Sequence, residues 1–226
     1  MAGYLSGIDS VLRHRFSPLF LLCSVIILNE VCQVFGFGQN NGMSITPEEK
    51  QLNDAIALAA DIHRNQVRKE PDGRPYICHV LDVVNAIPKE KHLERLVAAL
   101  HDTVEDVAEE EKDLEVANQK REALRLEIGQ KFSPEVLAGV EAMTHIKQEG
   151  LNEVDALAHY LEYVKKSVLD NDAAITVKII DNYVNMKDRV AQFAAGGADA
   201  ENARKKLHQY ASSIVELTKK KENATK

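Results

Sequence analysis

The chain is built around the stretch Leu96-Val97-Ala98-Ala99-Leu100-His101-Asp102-Thr103-Val104-Glu105-Asp106, in which an apolar run ends in groups that bind metals and move protons. Residues four apart share a helix face, so a helix through this stretch stacks His101 on Glu105 and Asp102 on Asp106. Imidazole with carboxylate suits a divalent cation, and two further carboxylates suit proton transfer or water positioning. An acidic helix end that faces solvent fits the isolated stretch equally well, so the rest of the chain has to decide.

The composition of the 226 residues is that of an ordinary globular protein with one good-sized domain. Aromatic residues make up only 5% and Trp is absent, which favours a helical core rich in Ala, Leu and Val. The net charge of −7 argues against a nucleic-acid partner bound through a basic surface. Three scattered cysteines, Cys23, Cys32 and Cys78, are too few for a disulfide framework or a zinc ribbon, so we expect a reducing, cytoplasmic location.

The first 42 residues differ from the remainder, and we predict an N-terminal extension at 1–42 and one domain at 43–226. Within the extension, a basic segment precedes the apolar run Phe16–Leu28, which is shorter than the roughly 20 residues of a membrane span. Three interpretations remain open: an export signal or membrane tether, an extra helix or tail, and an upstream start codon with Met43 as the true first residue. A capping box at Thr46–Glu49 favours the third, and we do not expect membrane association.

From Thr46 onward, apolar residues recur at helical spacing, which predicts an all-α domain of about eight to ten helices. One helix is expected from Lys91 to about Val107, through the acidic stretch. A charged helix over 108–128 is expected to end at Gly129. The apolar segment from Ala173 to Met186 has the β-branched content of a strand, but its length favours a buried helix.

Two residues elsewhere extend the candidate site. His79 opens a short helix, and Asp181 follows the apolar residues Val177 to Ile180, where a buried carboxylate is costly without a cation or hydrogen bonds. Each has an ordinary alternative, because a lone histidine is more often structural and Asp181 can pair with a nearby Lys or Arg. Together with His101 and Asp102 they offer four N and O ligands from three helices. Such a set suits Mn²⁺, with Fe²⁺, Co²⁺ or Zn²⁺ as alternatives.

A basic loop precedes the first of these ligands. Between His63 and Arg74 it carries four Arg or Lys residues and two acidic ones, a local positive balance in a negative chain. Basic loops are usually only solvated. Beside a hydrolytic metal centre, however, arginines that clamp phosphates and stack on bases fit a nucleotide substrate.

In this combination the chain resembles the HD superfamily of metal-dependent phosphohydrolases. More narrowly, it is similar to the (p)ppGpp hydrolase domain of the RelA/SpoT family and to the stand-alone, Mesh-type small alarmone hydrolases. The resemblance is carried by HRNQVRKEPDGRPYICH (63–79), LVAALHDTVEDV (96–107) and VKIIDNYVNM (177–186). It spans roughly residues 45–215 and implies a single HD-domain helical bundle.

The resemblance implies a role for each residue of the candidate site. The implied ligands of a divalent metal, normally Mn²⁺, are His79, His101, Asp102 and Asp181. The implied catalytic pair that orients and activates the attacking water is Glu105 and Asp106. The implied contacts to the nucleotide are Arg68, which stacks on the base, and Lys69, Tyr76 and Asn185.

The implied reaction is hydrolysis of the 3′-diphosphate of (p)ppGpp to GDP or GTP and pyrophosphate, with a small guanine nucleotide as the partner. Two departures from the family pattern are Val80, where Pro is usual, and Asn182, where a basic residue usually follows the ligand Asp. The changes near Asn185 leave the base preference open. Alternative functions are hydrolysis of (p)ppApp or of the 2′-phosphate of NADPH, and a non-catalytic nucleotide sensor. The oligomeric state is also left open.

Overall fold

The computed structural model describes residues 44–68, 73–108, 111–145, 148, 150–197 and 199–224, the last five of these by their backbone only. The α-helices in these ranges are α1 Pro47–Ile62, α2 Ile77–Ala86, α3 His92–Leu100, α4 Thr103–Asp106, α5 Leu114–Lys131, α6 Pro134–Met143, α7 Glu153–Lys166, α8 Asp172–Ala195 and α9 Ala200–Ala224. The only pairing of extended backbone among the described residues is an isolated bridge between Val67 and Pro75. The predicted all-α fold is confirmed. The extension predicted at 1–42 lies outside the described residues, and the domain boundary stays a prediction.

Side-chain caps fix where several helices begin. Helix α1 has the predicted capping box: Thr46 Oγ1 accepts a hydrogen bond from the Glu49 amide at 3.1 Å, and Glu49 Oε2 accepts one from the Thr46 amide at 2.9 Å. Pro47 occupies the first helical position, where no amide hydrogen is needed. Side-chain oxygens also accept from amides in the first turns of α5, α6, α7 and α8, and they belong to Asp113, Ser133, Asn152 and Asn171.

Helix α3 lies at the centre of the domain. It packs against α1, α2, α6 and α8, and its residues Leu96 to Leu100 are all buried. Contact with α6 is close because of a glycine: a Cβ on Gly139 would lie 2.5 Å from Val97 Cγ2. This packing carries the C-terminal end of α3, and with it His101, into the interior.

The helix predicted from Lys91 to Val107 is interrupted in the structure. Helix α3 ends at Leu100, and α4 begins only at Thr103. At the break, His101 Nδ1 donates to the carbonyl oxygen of Ala98 at 2.8 Å, and Thr103 Oγ1 donates to that of Leu100 at 2.7 Å. Side chains that take up backbone carbonyls in this way compete with the regular helix, and this competition accounts for the break.

Two other helix limits differ from expectation. The charged helix expected over 108–128 is α5, which begins at Leu114 and continues through Gly129 to Lys131. Gly129 therefore does not end it. The glycine serves packing, since a Cβ there would lie 3.1 Å from Leu137 Cδ2 of α6. The apolar segment from Ala173 is a helix as predicted, but α8 extends past Met186 to Ala195 and packs along α9. Within the described ranges, no helix combines the length and the apolar character that crossing a membrane requires.

Candidate metal and nucleotide site

Four predicted ligands come together where the start of α2, the residues just after α3 and the middle of α8 meet. Donor atoms of His79, His101 and Asp102 all lie within 4.8 Å of one another. Asp181 Oδ1 lies 3.2 Å from His79 Nε2 and 3.7 Å from His101 Nε2. Asp102 Oδ2 lies 2.9 Å from His101 Nε2 and 4.0 Å from His79 Nε2. The structure therefore brings the four side chains close enough to surround a single ion.

The imidazole of His101 is oriented as that of a metal ligand usually is. The carbonyl of Ala98 can only accept, so His101 carries its proton on Nδ1 when neutral, and Nε2 presents a lone pair to the carboxylates. His101 Nε2 and both ring nitrogens of His79 are buried and have no hydrogen-bond partner among the described residues. Buried polar atoms are costly when unsatisfied, and a bound cation would satisfy one nitrogen of each ring, Nε2 of His101 and Nε2 of His79, which is the nitrogen that faces Asp181.

The charges of the cluster also favour a cation. Burial by itself would lower the pKa of His101, but the neighbouring Asp102 and Asp181 raise it well above its ordinary value. Burial would likewise raise the pKa of Asp102, and His101 instead holds it well below its usual range. Two carboxylates in a buried site attract a positive charge, which is a proton on imidazole or, in its place, a metal ion.

Asp181 has both oxygens engaged. Lys178 Nζ, buried in the same helix, donates to Oδ2 at 3.2 Å, while Asn185 Nδ2 donates to Oδ1 at 2.6 Å. Asp181 thus also pairs with a nearby lysine, which was the alternative interpretation of this residue. The pairing uses Oδ2, while Oδ1 faces the two histidines. Burial opposes ionisation of Asp181, but Lys178 and the two histidines hold its pKa well below the ordinary value. The carboxylate is therefore ionised and fixed in direction.

Tyr76 was predicted to contact the nucleotide, and in the structure it lines the cavity. It also contacts Asp102, one of the predicted metal-binding residues. Its hydroxyl donates to Asp102 Oδ2 at 2.6 Å. Burial and the carboxylates around it, Asp102 foremost, raise the pKa of Tyr76 well above its ordinary value, so the phenol remains a donor. The buried ring of His63, which was left out of the predicted site, lies against the Tyr76 ring at 4.7 Å between centroids.

The predicted catalytic carboxylates both line the adjoining cavity. Glu105 Oε2 accepts from the backbone amide of His145 at 3.4 Å. Asp106 Oδ2 lies 3.7 Å from Nδ1 of the buried His63, and that nitrogen lies 2.6 Å from Gln66 Oε1. The loop after α6 thus holds Glu105 by a hydrogen bond, whereas Asp106 lies beside the turn after α1.

The basic loop contacts α8. Arg68 Nη2 donates to Asn185 Oδ1 at 2.9 Å and to Asp188 Oδ2 at 2.8 Å, and the guanidinium carbon lies 5.7 Å from the centre of the Tyr76 ring. Arg74 Nη2 lies 3.8 Å from the other oxygen of Asp188. Lys69 lies outside the described residues, so its predicted contact stays a prediction.

These groups surround a cavity of about 450 Å³. Sequence reasoning missed one wall of it, which is formed by Asn202, Lys206, Gln209 and Tyr210 of α9 and by Arg189 of α8. A signal existed, because the four α9 residues are polar and recur at helical spacing, but nothing in the sequence shows which way that face turns.

No family model matches the chain. The guanosine-3′,5′-bis(diphosphate) 3′-pyrophosphohydrolase MESH1 of Mus musculus is 30% identical over 145 residues, which are 62% of this chain and 70% of that protein. MESH1 of Homo sapiens is 44% identical over 63 residues, 26% of this chain and 35% of that protein.

A longer relative is the GTP pyrophosphokinase rsh of Brucella melitensis, 33% identical over 143 residues. The match covers 62% of this chain but spans only 17% of the length of that protein. Among solved structures, a chain described under "A metazoan ortholog of SpoT hydrolyzes ppGpp and plays a role in starvation responses" has a TM-score of 0.50 and 20% identity. The match covers 81% of this chain and 98% of the solved chain. Because the identity is low, the match shows a shared fold only.

Proposed function

The chain belongs to the family of MESH1-type guanosine-3′,5′-bis(diphosphate) 3′-pyrophosphohydrolases, and on this premise we propose that it cleaves the 3′-diphosphate of (p)ppGpp, releasing pyrophosphate and GDP or GTP. One observation carries the proposal. Two histidines and two aspartates converge, with buried and unpartnered imidazole nitrogens, beside a cavity of about 450 Å³ that is lined by further carboxylates and cationic side chains. A cation site with a roomy charged cavity beside it is what hydrolysis of a phosphorylated nucleotide requires.

The cation that we propose is Mn²⁺, held by His79, His101, Asp102 and Asp181. A mixture of imidazole and carboxylate ligands supports this choice over tetrahedral zinc, which more often takes additional His or Cys. When bound, such a cation offsets the charge of the phosphates and makes a water molecule more acidic. Two hydrogen bonds fix the orientation of the aspartates. The Tyr76 hydroxyl donates to Asp102 Oδ2 at 2.6 Å, and Lys178 Nζ donates to Asp181 Oδ2 at 3.2 Å.

Glu105 and Asp106 are the groups that we assign to the attacking water. A carboxylate can accept the water proton as the phosphorus–oxygen bond forms, and Glu105 lies at the cavity wall with one oxygen held by the His145 amide. Asp106 lies beside the buried His63, with its Oδ2 3.7 Å from the ring nitrogen Nδ1. In the reaction, the bond between the 3′ oxygen and phosphorus breaks, the water oxygen joins the diphosphate, and the 3′ oxygen takes a proton.

We assign the nucleotide to the wall formed by Arg68, Tyr76 and Asn185, with Lys69 of the same loop as a further contact. Arg68 is buried and held by Asp188, so its planar guanidinium is fixed before a ligand arrives. Preorganised contacts lose less entropy on binding.

The few scattered cysteines of the chain support a reducing, cytoplasmic location.

The test is incubation of the purified protein with Mn²⁺ and ppGpp, with chromatographic detection of GDP and an enzymatic assay for pyrophosphate. We expect equimolar GDP and pyrophosphate, and no product after removal of the metal by a chelator. Parallel reactions with ppApp and NADPH measure the base and phosphate preference. Release of orthophosphate from NADPH with ppGpp left intact would overturn the proposed substrate, and binding of ppGpp without any product would indicate a sensor.

A further inference from the structure

One face of α8 runs along the cavity. Asp181, Asn185 and Arg189 all line it, at intervals of four residues. Four residues advance a helix by about 6 Å, so Arg189 lies roughly 12 Å along the helix axis from the ligand Asp181. The helix therefore connects the metal end of the cavity to a guanidinium at the other end.

Arg189 differs from the other cations that α8 and the basic loop bring to the cavity. Lys178 is paired with Asp181, and Arg68 with Asp188. Arg189 forms no ion pair within the described part of the chain: Nη1 donates to the amide oxygen of Gln192 at 2.5 Å, and Nε is buried without a hydrogen-bond partner there. Gln192 is buried and neutral, so it holds the guanidinium in place and leaves the positive charge uncompensated.

The surroundings of Arg189 on α9 also suit an anion. Tyr210 and Lys206 line the same cavity. Burial and, after it, the charge of Asp181 raise the pKa of Tyr210 to about 12, and the nearby charge of Arg189 opposes part of that rise. The phenol thus stays protonated at neutral pH and is available as a hydrogen-bond donor. A guanidinium without a carboxylate partner, next to a phenol, matches the geometry of phosphate oxygens.

We propose that Arg189 binds the 5′-phosphate chain of the nucleotide and sets the preference for its length. This inference rests on the proposed function, which assigns the 3′-diphosphate to the end of the cavity that holds Asp181. A nucleotide phosphorylated on both its 3′ and 5′ oxygens carries negative charge at two ends with the ribose between them. The cavity has its cation site at one end and the uncompensated Arg189 at the other, in the same order.

The test measures binding of GMP, GDP and GTP by calorimetry, without added metal, to the wild type and to Arg189→Gln. These nucleotides lack the 3′-diphosphate, so they report on the 5′ end alone. In the wild type, affinity should rise from GMP to GTP. In Arg189→Gln, we expect a loss of about tenfold for GDP and GTP and a change within about twofold for GMP, since the longer chains lose a charge-assisted contact. Arg189→Lys, which keeps the charge, should retain part of the preference.

The matched control is Lys187→Gln, which removes the same charge from the same helix at an exposed position outside the cavity and should leave all three affinities unchanged. Equal losses for GMP and GTP in Arg189→Gln, no loss at all, or a wild type that binds GTP no better than GMP would each overturn the proposal. Hydrolysis of ppGpp is followed in parallel. Arg189-dependent binding of GTP without release of pyrophosphate contradicts the proposed function alone, and pyrophosphate release with Arg189-independent binding contradicts this inference alone.

Discussion

The two ends of the cavity are stabilised in different ways. At the metal end, His79, His101 and Asp181 are almost fully buried, and the imidazole nitrogens find no hydrogen-bond partner among the described residues. Along the nucleotide wall, Arg68 is balanced by Asp188, which also has Arg74 nearby. At the proposed metal end, imidazole nitrogens are left without a partner that a cation would supply, whereas most of the proposed nucleotide wall is satisfied by the protein itself. Substitutions at the metal end should therefore abolish turnover, and substitutions along the nucleotide wall should change the affinity for the nucleotide.

The largest expected effect is at the metal end. His79→Asn removes one of the two imidazoles, and we expect loss of bound metal and a fall in kcat of at least about a thousandfold, because the remaining donors no longer enclose the ion. Metal content by mass spectrometry and turnover of ppGpp check this. His92→Asn, which changes a partly exposed histidine on α3 that lies 2.9 Å from Gln51 Oε1, is the control. Full metal content in His79→Asn would remove His79 from the ligand set.

The next effect separates water activation from metal binding. Glu105→Gln keeps the size of the side chain but removes the base, so we expect kcat to fall by about 10²- to 10⁴-fold. Metal content and the affinity for GDP should stay at the wild-type level. Glu122→Gln, at an exposed position of α5, should behave as the wild type. If Glu105→Gln loses metal instead, Glu105 belongs to the ligands.

How much of the fold was accessible from the sequence depends on the range of the interactions. The all-α class and the start of α1 follow from local features, namely helical spacing and the Thr46 capping box. The break after Leu100 was missed because it depends on His101 and Thr103 bonding to carbonyls of the preceding turn. Gly129 was misread as a helix end because its close approach to Leu137 is a tertiary contact.

The same division applies to the site. Asp181 was predicted because a carboxylate after an apolar run is costly unless it is paired, and the structure places it against His79 and Lys178. Arg189 and the α9 wall were missed, since a cationic or polar residue on a helix face is usually solvated. Only the packing of α9 on α8 turns that face toward the cavity.

A third prediction concerns the stability that the buried pair of Lys178 and Asp181 contributes at the metal end of the cavity. Lys178→Met leaves the buried Asp181 without its cationic partner, so we expect the metal-free protein to lose roughly 3–5 kcal/mol of unfolding free energy at pH 7. Chemical denaturation in the presence of a chelator measures this. Lys166→Met, which removes an exposed lysine paired with Glu162, should change the unfolding free energy by less than about 1 kcal/mol.

The pH dependence of this loss has a definite sign. Because the folded-state pKa of Asp181 is depressed, its ionised form contributes stability above the unfolded pKa of about 3.9, and that contribution is lost as the pH falls toward the folded pKa. The difference between the wild type and Lys178→Met should therefore shrink below about pH 4. A difference that stays constant down to acid unfolding would show that the pairing of Lys178 with Asp181 does not carry it.

The smallest expected effect lies behind the α9 wall. Asn182, where the family usually has a basic residue, is fully buried: its Nδ2 donates to Ser213 Oγ at 2.9 Å, and its Oδ1 accepts from the Tyr160 hydroxyl at 3.3 Å. It thereby connects α7, α8 and α9. Ser213→Ala leaves a buried amide hydrogen without its acceptor, so the unfolding free energy should fall by about 1–2 kcal/mol, whereas the neighbouring Ser212→Ala should change it by less than about 0.5 kcal/mol. Equal effects of the two substitutions would mean that α9 is held against α8 by its apolar contacts and not by this amide.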